Sequence, residues 1–426
     1  MLQLLRALTP PQRNAVIASF LAWTLDAFDF FVLVFVLKDV AQEFATSVAT
    51  VSWAFTLTLA ARPLGALLFG SAADRYGRRA ALMVNILLFS SFEVLSGLAP
   101  SLPLFLLARL AFGVAMGGVW GVAAALAMET IPAQARGVVS GILQAGYPTG
   151  YLLVAMTYSA VYSLIGWRYM FVAGALPALL LVVYIWRKVE ESPAFLARAA
   201  RHAGPPFWRL MTELWAHRTR FCYAVLLMTA FNFLSHGTQD LYPTFLQLQL
   251  RYSQHAVGAI AIFYNVGAVL GGLWLGSLSE TLGRRRTITL AALSVLPLIW
   301  PWAYGLWPLA SGSEPLILAM GAFLMQFSVQ GAWGIVPAYL NELSPGPIRG
   351  TFPGLTYQLG NLLASPNAPL QAGIAGAYGG VYAFALAIVA AFAALILAAF
   401  VYFGPEAQGV AFDAGRAGHK QDPSSS

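Results

Sequence analysis

The densest run of polar chemistry in the chain lies between Asn232 and Thr244: Asn232-Phe-Leu-Ser235-His236-Gly-Thr238-Gln239-Asp240-Leu-Tyr-Pro-Thr244. On a helix, His236 and Asp240 are four residues apart and share a face, which lets them form a hydrogen-bonded, protonatable pair. Asp26 and Asp29, three residues apart, also project from one face. Two carboxylates this close in a low dielectric do not both ionise easily, which is the property a proton carrier needs. Arg62 and Arg109 are set in equally apolar surroundings. A guanidinium suits a carboxylate because its planar fork bonds both oxygens at once. Each of these groups also has a structural reading, with Arg62 paired to a span 1 aspartate and Arg109 paired to Glu93.

The elements that must position these residues are membrane-spanning helices. Of 426 residues, 59% are hydrophobic and 10% charged, whereas a water-soluble domain carries about 25% charged residues. Runs of roughly 20 apolar residues recur along the chain, each long enough to cross about 30 Å of hydrocarbon as a helix. Twelve spans are expected, at about 14–38, 51–73, 80–99, 103–127, 138–162, 166–186, 220–247, 257–279, 287–309, 314–340, 350–375 and 379–403. The first run is too long for the core of a signal peptide and is expected to remain in the protein. Lys38, Arg168 and Arg251 fall on one side of the membrane, and Arg62 and Arg109 within spans. The remaining Lys and Arg fall on the side of both termini, which the positive-inside rule makes cytoplasmic.

The chain therefore divides into a cytoplasmic N-terminus (1–13), a six-helix bundle (14–186), a cytoplasmic linker (187–219), a second six-helix bundle (220–403) and a cytoplasmic tail (404–426). The linker holds Phe207, Trp208 and Trp215 among its arginines. It reads equally as an amphipathic segment on the inner leaflet or as a solvated connection. The polar tail is expected to be disordered. Duplication is visible within the chain itself. At an offset of 213, Gly118, Trp120, Gly121, Glu129, Pro132, Arg136, Gly137 and Gly141 recur as Gly331, Trp333, Gly334, Glu342, Pro345, Arg349, Gly350 and Gly354. At an offset of 206, the Gly70–Arg79 turn recurs at Gly276–Arg285. Two parallel six-helix halves about an axis normal to the membrane is an architecture of alternating-access carriers, with the substrate site between the halves.

The turn Gly70-x-x-x-Asp74-Arg75-x-Gly77-Arg78-Arg79 resembles the signature loop of the major facilitator superfamily, and the resemblance extends to about residue 403. In the second half, Glu280 replaces the more usual Asp. The resemblance implies an all-α integral membrane fold of twelve helices in two pseudo-symmetric bundles. Gly70 is expected to allow close helix approach, and Asp74 to cap a helix and pair with Arg across the interface between halves, holding that side shut. The expected gating set is Gly70, Asp74, Arg75, Gly77, Arg78, Glu129, Arg136, Glu280, Arg284, Glu342 and Arg349. Arg109-x-x-x-Gly113-x-x-x-Gly117 resembles the fourth-helix arginine motif of proton-coupled facilitators. The span 7 run is similar to the seventh-helix signature of the lactate permease branch of the sialate:proton symporter family, Asn-x-x-Ser/Thr-His-x-Ser/Thr-Gln-Asp-x-x-x-Thr, at every fixed position. Trp23-x-x-Asp26-x-Phe28-Asp29 and Arg62-Pro63-x-Gly65 also look like organic-acid facilitators.

What the resemblance implies is symport of a small carboxylate with a proton, lactate or a related monocarboxylate first. Sialic acid, an aromatic acid and uncoupled facilitation are the alternatives. The expected substrate-binding residues are Arg62 or Arg109 with Asn232, His236 and Gln239, the site being completed from the second half by Gln358 and Asn361 on span 11 and Gln326 and Gln330 on span 10. Proton coupling is expected from Asp26, Asp29, Asp240 and His236. One cysteine, Cys222, excludes an internal disulfide or a cysteine cluster. No nucleotide-binding loop, metal-ligand spacing or nucleophile elbow is present, so neither an enzyme, a cofactor nor a metal is expected. The net charge of +7 follows loop topology and does not point to nucleic acid. The chain is expected to act as a monomer in a bacterial-type inner or plasma membrane.

Overall fold

The computed structural model describes residues 2–46, 48–199, 207–305, 315–407 and 409, and the described residues form helices and connections without strands. Span 1 is Pro10–Glu43, span 2 Val48–Tyr76, span 3 Arg78–Leu98 and span 4 Leu102–Thr130. Spans 5 and 6 form the stretch Arg136–Lys188, broken at Gly166, whose φ of 70° and ψ of 176° end one helix and start the next. Only glycine adopts that backbone region readily. Span 7 is Arg218–Gln239 continued by Tyr242–Leu248, and span 8 is Gln254–Leu282. Span 9 is Arg284–Ile299 with a wider turn at Trp300–Tyr304. Span 10 is Pro315–Trp333 with Val336–Leu343, span 11 Phe352–Ala364 with Asn367–Ala377, and span 12 Tyr382–Tyr402.

Ten stretches of the described chain are long and apolar enough to cross a membrane. Spans 7 and 11 are not among them. Span 7 carries the polar run of Asn232 to Asp240, and span 11 is divided near Pro366, so neither presents a long, strongly apolar window. Several helices outrun the expected bounds because polar residues at their ends find partners. Glu43, for example, continues span 1 past the apolar window and takes Arg168 Nη2 at 2.6 Å.

Glycine sets how closely the helices approach. A Cβ on Gly117 would lie 2.7 Å from the Arg62 Cα, and one on Gly113 would lie 2.7 Å from the Thr58 Cα, so spans 2 and 4 are in backbone contact. Gly271 meets Phe327 in the same way between spans 8 and 10. Such small-residue seams are how helices gain packing energy in lipid, where apolar side chains gain little by leaving hydrocarbon. The linker forms a helix at Phe207–Ala216 with Leu210 and Leu214 buried and Met211 and Trp215 exposed. It therefore lays one side against the protein. The side chains of Phe207 and Trp208, residues 200–206 of the linker, and the tail at 408 and from 410 onward lie outside the described residues.

Candidate functional site

The kink in span 7 places its chemistry. Pro243 cannot continue the hydrogen-bond ladder of the preceding helix, so the first segment stops at Gln239 and a second starts at Tyr242. Asp240 is left at the helix end, its N–H on the His236 carbonyl at 3.0 Å and its side chain exposed to a cavity. His236 Nδ1 lies 3.1 Å from Asp240 Oδ2, and His236 Nε2 lies 3.1 Å from Asn361 Oδ1 on span 11. With Nε2–H donated to Asn361, the Nδ1–carboxylate contact needs one further proton. It is met by an imidazolium facing a carboxylate, or by a neutral ring facing a carboxylic acid. Removing that proton sets a lone pair against a carboxylate, so the contact registers protonation directly.

Two cavities meet at Asp240. One, of about 300 Å³, is bounded by Thr56, Leu59, His236, Asp240, Asn361 and Ser365. The other, of about 250 Å³, is walled by Phe31, Tyr147, Tyr151, Tyr264, Gln239 and Gln330. Both draw residues from each half of the chain. Gln239 and Gln330 each donate to Ser235 Oγ, at 3.0 and 3.1 Å, which ties span 7 to span 10. On one side of the tyrosine compartment, Phe31 meets Tyr147 and Tyr151 edge-on at 5.1 and 4.9 Å between ring centroids. Trp120 and Trp333, at equivalent positions of the internal repeat, both pack on Tyr357 of span 11, at 4.8 and 5.4 Å.

The first half holds a buried charge cluster. Asp26 and Asp29 are completely buried, and none of their four carboxylate oxygens has a hydrogen-bond partner among the described residues. Asp29 abuts span 6, where a Cβ on Gly174 would come within 3.0 Å of the Asp29 Cγ. The two arginines part company. Arg109 Nη1 is 2.6 Å from Glu93 Oε2, and its guanidinium stacks on Phe112 at 4.0 Å. Arg62, also buried, makes no ion pair among the described residues. It rests over Phe30 at 5.0 Å beside the Met116 sulfur, and its Nε has no partner. Its charge reaches both Asp26 and His236.

At the Arg-rich end the halves are latched twice. Asp74 accepts the Gly350 and Thr351 N–H groups at 2.8 and 3.0 Å and the Thr351 hydroxyl at 2.9 Å. Glu280 accepts the Gly137 N–H in return. Behind them Arg78 joins Asp74 and Glu129, both at 3.0 Å. Arg284 joins Glu280 and Glu342, both at 3.1 Å, and Arg136 reaches Glu342 at 3.6 Å. Arg349 acts on Glu129 from the opposite half. Asp74 was expected to cross the interface through an arginine. It was also expected to cap a helix, and it accepts backbone N–H groups at the start of span 11 in the other half, while its ion pair with Arg78 lies within its own half. A Cβ on Gly70 would lie 2.6 Å from the Thr351 Cα, and Gly77 turns the chain at φ 104°.

Of the other expected residues, Arg75 stands exposed over Tyr76 at 5.2 Å and joins none of the contacts just described. Asn232 is buried and donates to the Met228 carbonyl of its own helix at 2.8 Å. Gln358 is buried with its carbonyl oxygen unpartnered, and Gln326 donates to Thr238 at 3.1 Å. Neither Asn232 nor Gln358 borders the two cavities. The three tyrosines of the second cavity escaped the sequence reading because tyrosine is common in membrane helices, and no spacing rule marks the ones that face inward.

Residues 19–366 match the profile described as Major Facilitator Superfamily. A "Carboxylic acid transporter protein homolog" of Saccharomyces cerevisiae is 29% identical over 88% of the chain, which spans 63% of that relative's length. A "Probable 4-methylmuconolactone transporter" of Cupriavidus pinatubonensis is 30% identical over 96% of the chain and 94% of its own. The solved structure of the proton:xylose symporter XylE superposes with a TM-score of 0.76 at 18% identity, covering 95% of this chain and 98% of that one.

Proposed function

Since this chain belongs to the Major Facilitator Superfamily, we propose that it carries a small organic carboxylate across the membrane together with a proton, by alternating access. The observation that carries the reading is the His236–Asp240 pair, bridged to Asn361 and bordering cavities between the halves. Asp240 and His236 hold the coupled proton, and Asp26 and Asp29 form a second, buried store. Arg62 is the cation for the substrate carboxylate, because Arg109 is already matched to Glu93. His236, Gln239 and Asn361 bond the remaining polar atoms, with Asn232 and Gln358 supporting them from within the helices. Protonation relieves the carboxylates near Arg62 of their charge and frees the guanidinium to take the substrate's. Loading both species favours occlusion, and emptying both permits the return.

Lactate and related monocarboxylates lead the substrate list on the span 7 signature. The yeast relative's name, a carboxylic acid transporter, supports the carboxylate class. The tyrosine compartment favours a second reading, an unsaturated or aromatic acid. Among the described residues, the hydroxyls of Tyr147, Tyr151 and Tyr264 have no hydrogen-bond partner, and aromatic walls hold a planar skeleton better than a methyl group. The relative named for a lactone agrees with this reading. The latches at the Arg-rich end close the cytoplasmic side of a bacterial-type inner or plasma membrane, with both termini on that side and a monomer as the working unit. Uptake of labelled L-lactate, benzoate and sialic acid into proteoliposomes, driven by an inward proton gradient, tests the reading. Asp240→Asn is expected to abolish gradient-driven accumulation of whichever acid is carried. Unchanged accumulation would remove Asp240 from the coupling.

A further inference from the structure

Away from the central cavities, the seam between spans 7 and 12 carries an outward-facing cleft made of two adjoining hollows of different chemistry. At the Arg-rich end it is a cavity of about 770 Å³ bounded by His217, Thr219, Arg220, Tyr223, Phe400 and Pro405. Toward mid-membrane it becomes a groove of about 500 Å³ floored by Ala230, Phe233, Leu370, Val389, Ile396 and Phe400. Phe400 lines both, so the two adjoin. The groove opens to the outer face of the protein, where Leu226, Phe392 and Ile396 are about half exposed.

We propose that this cleft binds one anionic glycerophospholipid, its phosphate beside Arg220 and one acyl chain along the span 7–span 12 seam. Three observations carry it. The groove holds a single polar side chain, Thr229, and its hydroxyl already donates to the Val225 carbonyl at 2.8 Å, so nothing there solvates water and hydrocarbon is the matching filler. Its span 7 lining runs from Leu226 to Phe233, and Arg220 and Tyr223 continue the same stripe at intervals of three or four residues. At 1.5 Å per residue the stripe is about 20 Å long, enough for one leaflet of a hydrocarbon core about 30 Å thick. The polar end is cationic. Exposed Arg220 uses Nη1 on the Leu343 carbonyl at 3.3 Å, and its other donors have no protein partner among the described residues. Glu213 lies 3.9 Å from His217. Basic pockets between spans on the cytoplasmic side are where anionic headgroups are held. The site also touches the latch, because Leu343 follows Glu342, and Tyr223 bonds Tyr339 at 3.3 Å.

The test is lipid retention by the detergent-purified full chain, read by native mass spectrometry after adding equal amounts of dioleoylphosphatidylglycerol and dioleoylphosphatidylcholine. The wild-type chain is expected to retain the glycerol lipid at least fivefold over the choline lipid. Arg220→Gln is expected to erase that preference, and Thr229→Trp to weaken retention of both lipids. Thermal unfolding without added lipid identifies any variant that fails to fold, and Arg220→Lys, expected to keep part of the preference, then replaces Arg220→Gln. Equal retention of the two lipids by the wild type, or a preference untouched at Arg220, overturns the proposal. So does retention that appears only after residues 410–426 are removed, which would make the chain's own tail the occupant.

Discussion

The Asp74 carboxylate accepts the Gly350 N–H at 2.8 Å across the boundary between the halves, and the same contact recurs between Glu280 and Gly137. Gly350 and Gly137 are equivalent positions of the internal repeat, as are Asp74 and Glu280 of the twin turns. Each half therefore places a carboxylate at the start of the other half's fifth span, where unpaired N–H groups and the helix dipole favour negative charge. The two contacts join the halves reciprocally at the Arg-rich end.

Asp74→Asn removes the charge from three hydrogen bonds at once. Charge-assisted bonds contribute about 1.5–3 kcal/mol each where they are buried, so the closed end should open at least tenfold more often. Distances between spin labels placed on the Arg-rich ends of the two halves check this. A distance distribution identical to that of the wild type would show that the latch does not hold the closed state.

Arg62 and Arg109 should fail differently. Arg62→Lys loses the planar fork but not the charge, and is expected to raise the KM for substrate roughly tenfold or more with little change in thermal stability. Arg109→Ala leaves Glu93 buried without its partner, which costs about 3–5 kcal/mol and should appear as loss of folded protein. Glu93→Gln combined with Arg109→Gln should recover part of that loss. Uptake kinetics and melting temperatures on the same preparations separate the two outcomes.

His236→Ala and Asn361→Ala sever the same bridge from opposite ends. Both are expected to reduce uptake at least tenfold, but only His236→Ala should also flatten its dependence on pH, because the titrating pair survives in Asn361→Ala. A flat profile in both variants would shift the coupling role away from His236.

Gly117→Ala sets a methyl 2.7 Å from the Arg62 Cα, and overpacking of this kind costs about 1–3 kcal/mol. The melting temperature should fall, and substrate affinity with it, since the seam fixes Arg62. Gly258→Ala meets nothing within 4 Å and should leave the melting temperature unchanged or slightly higher.

Twelve helices in duplicated halves were legible in the sequence because a lipid environment demands long apolar runs and because the repeat preserves Gly118, Trp120 and Glu129 as Gly331, Trp333 and Glu342. The pairing of Arg109 with Glu93 was legible from depth along the spans. The partners of Asp74 were not, since its donors are backbone N–H groups that any sequence supplies. Nor were Tyr147, Tyr151 and Tyr264 marked out, because only the tertiary fold decides which tyrosines face the cavity. Asn232 and Gln358 show the reverse: their types suggested a cavity lining, and helix rotation turned them into the protein.

The most direct test of proton-coupled carboxylate transport is accumulation of labelled substrate by proteoliposomes with and without an inward proton gradient, using L-lactate first and benzoate second. Proton-coupled transport predicts accumulation above equilibrium that a protonophore abolishes. Equilibration at the same rate with or without the gradient would contradict it, and would leave His236 and Asp240 as structural residues of an uncoupled carrier.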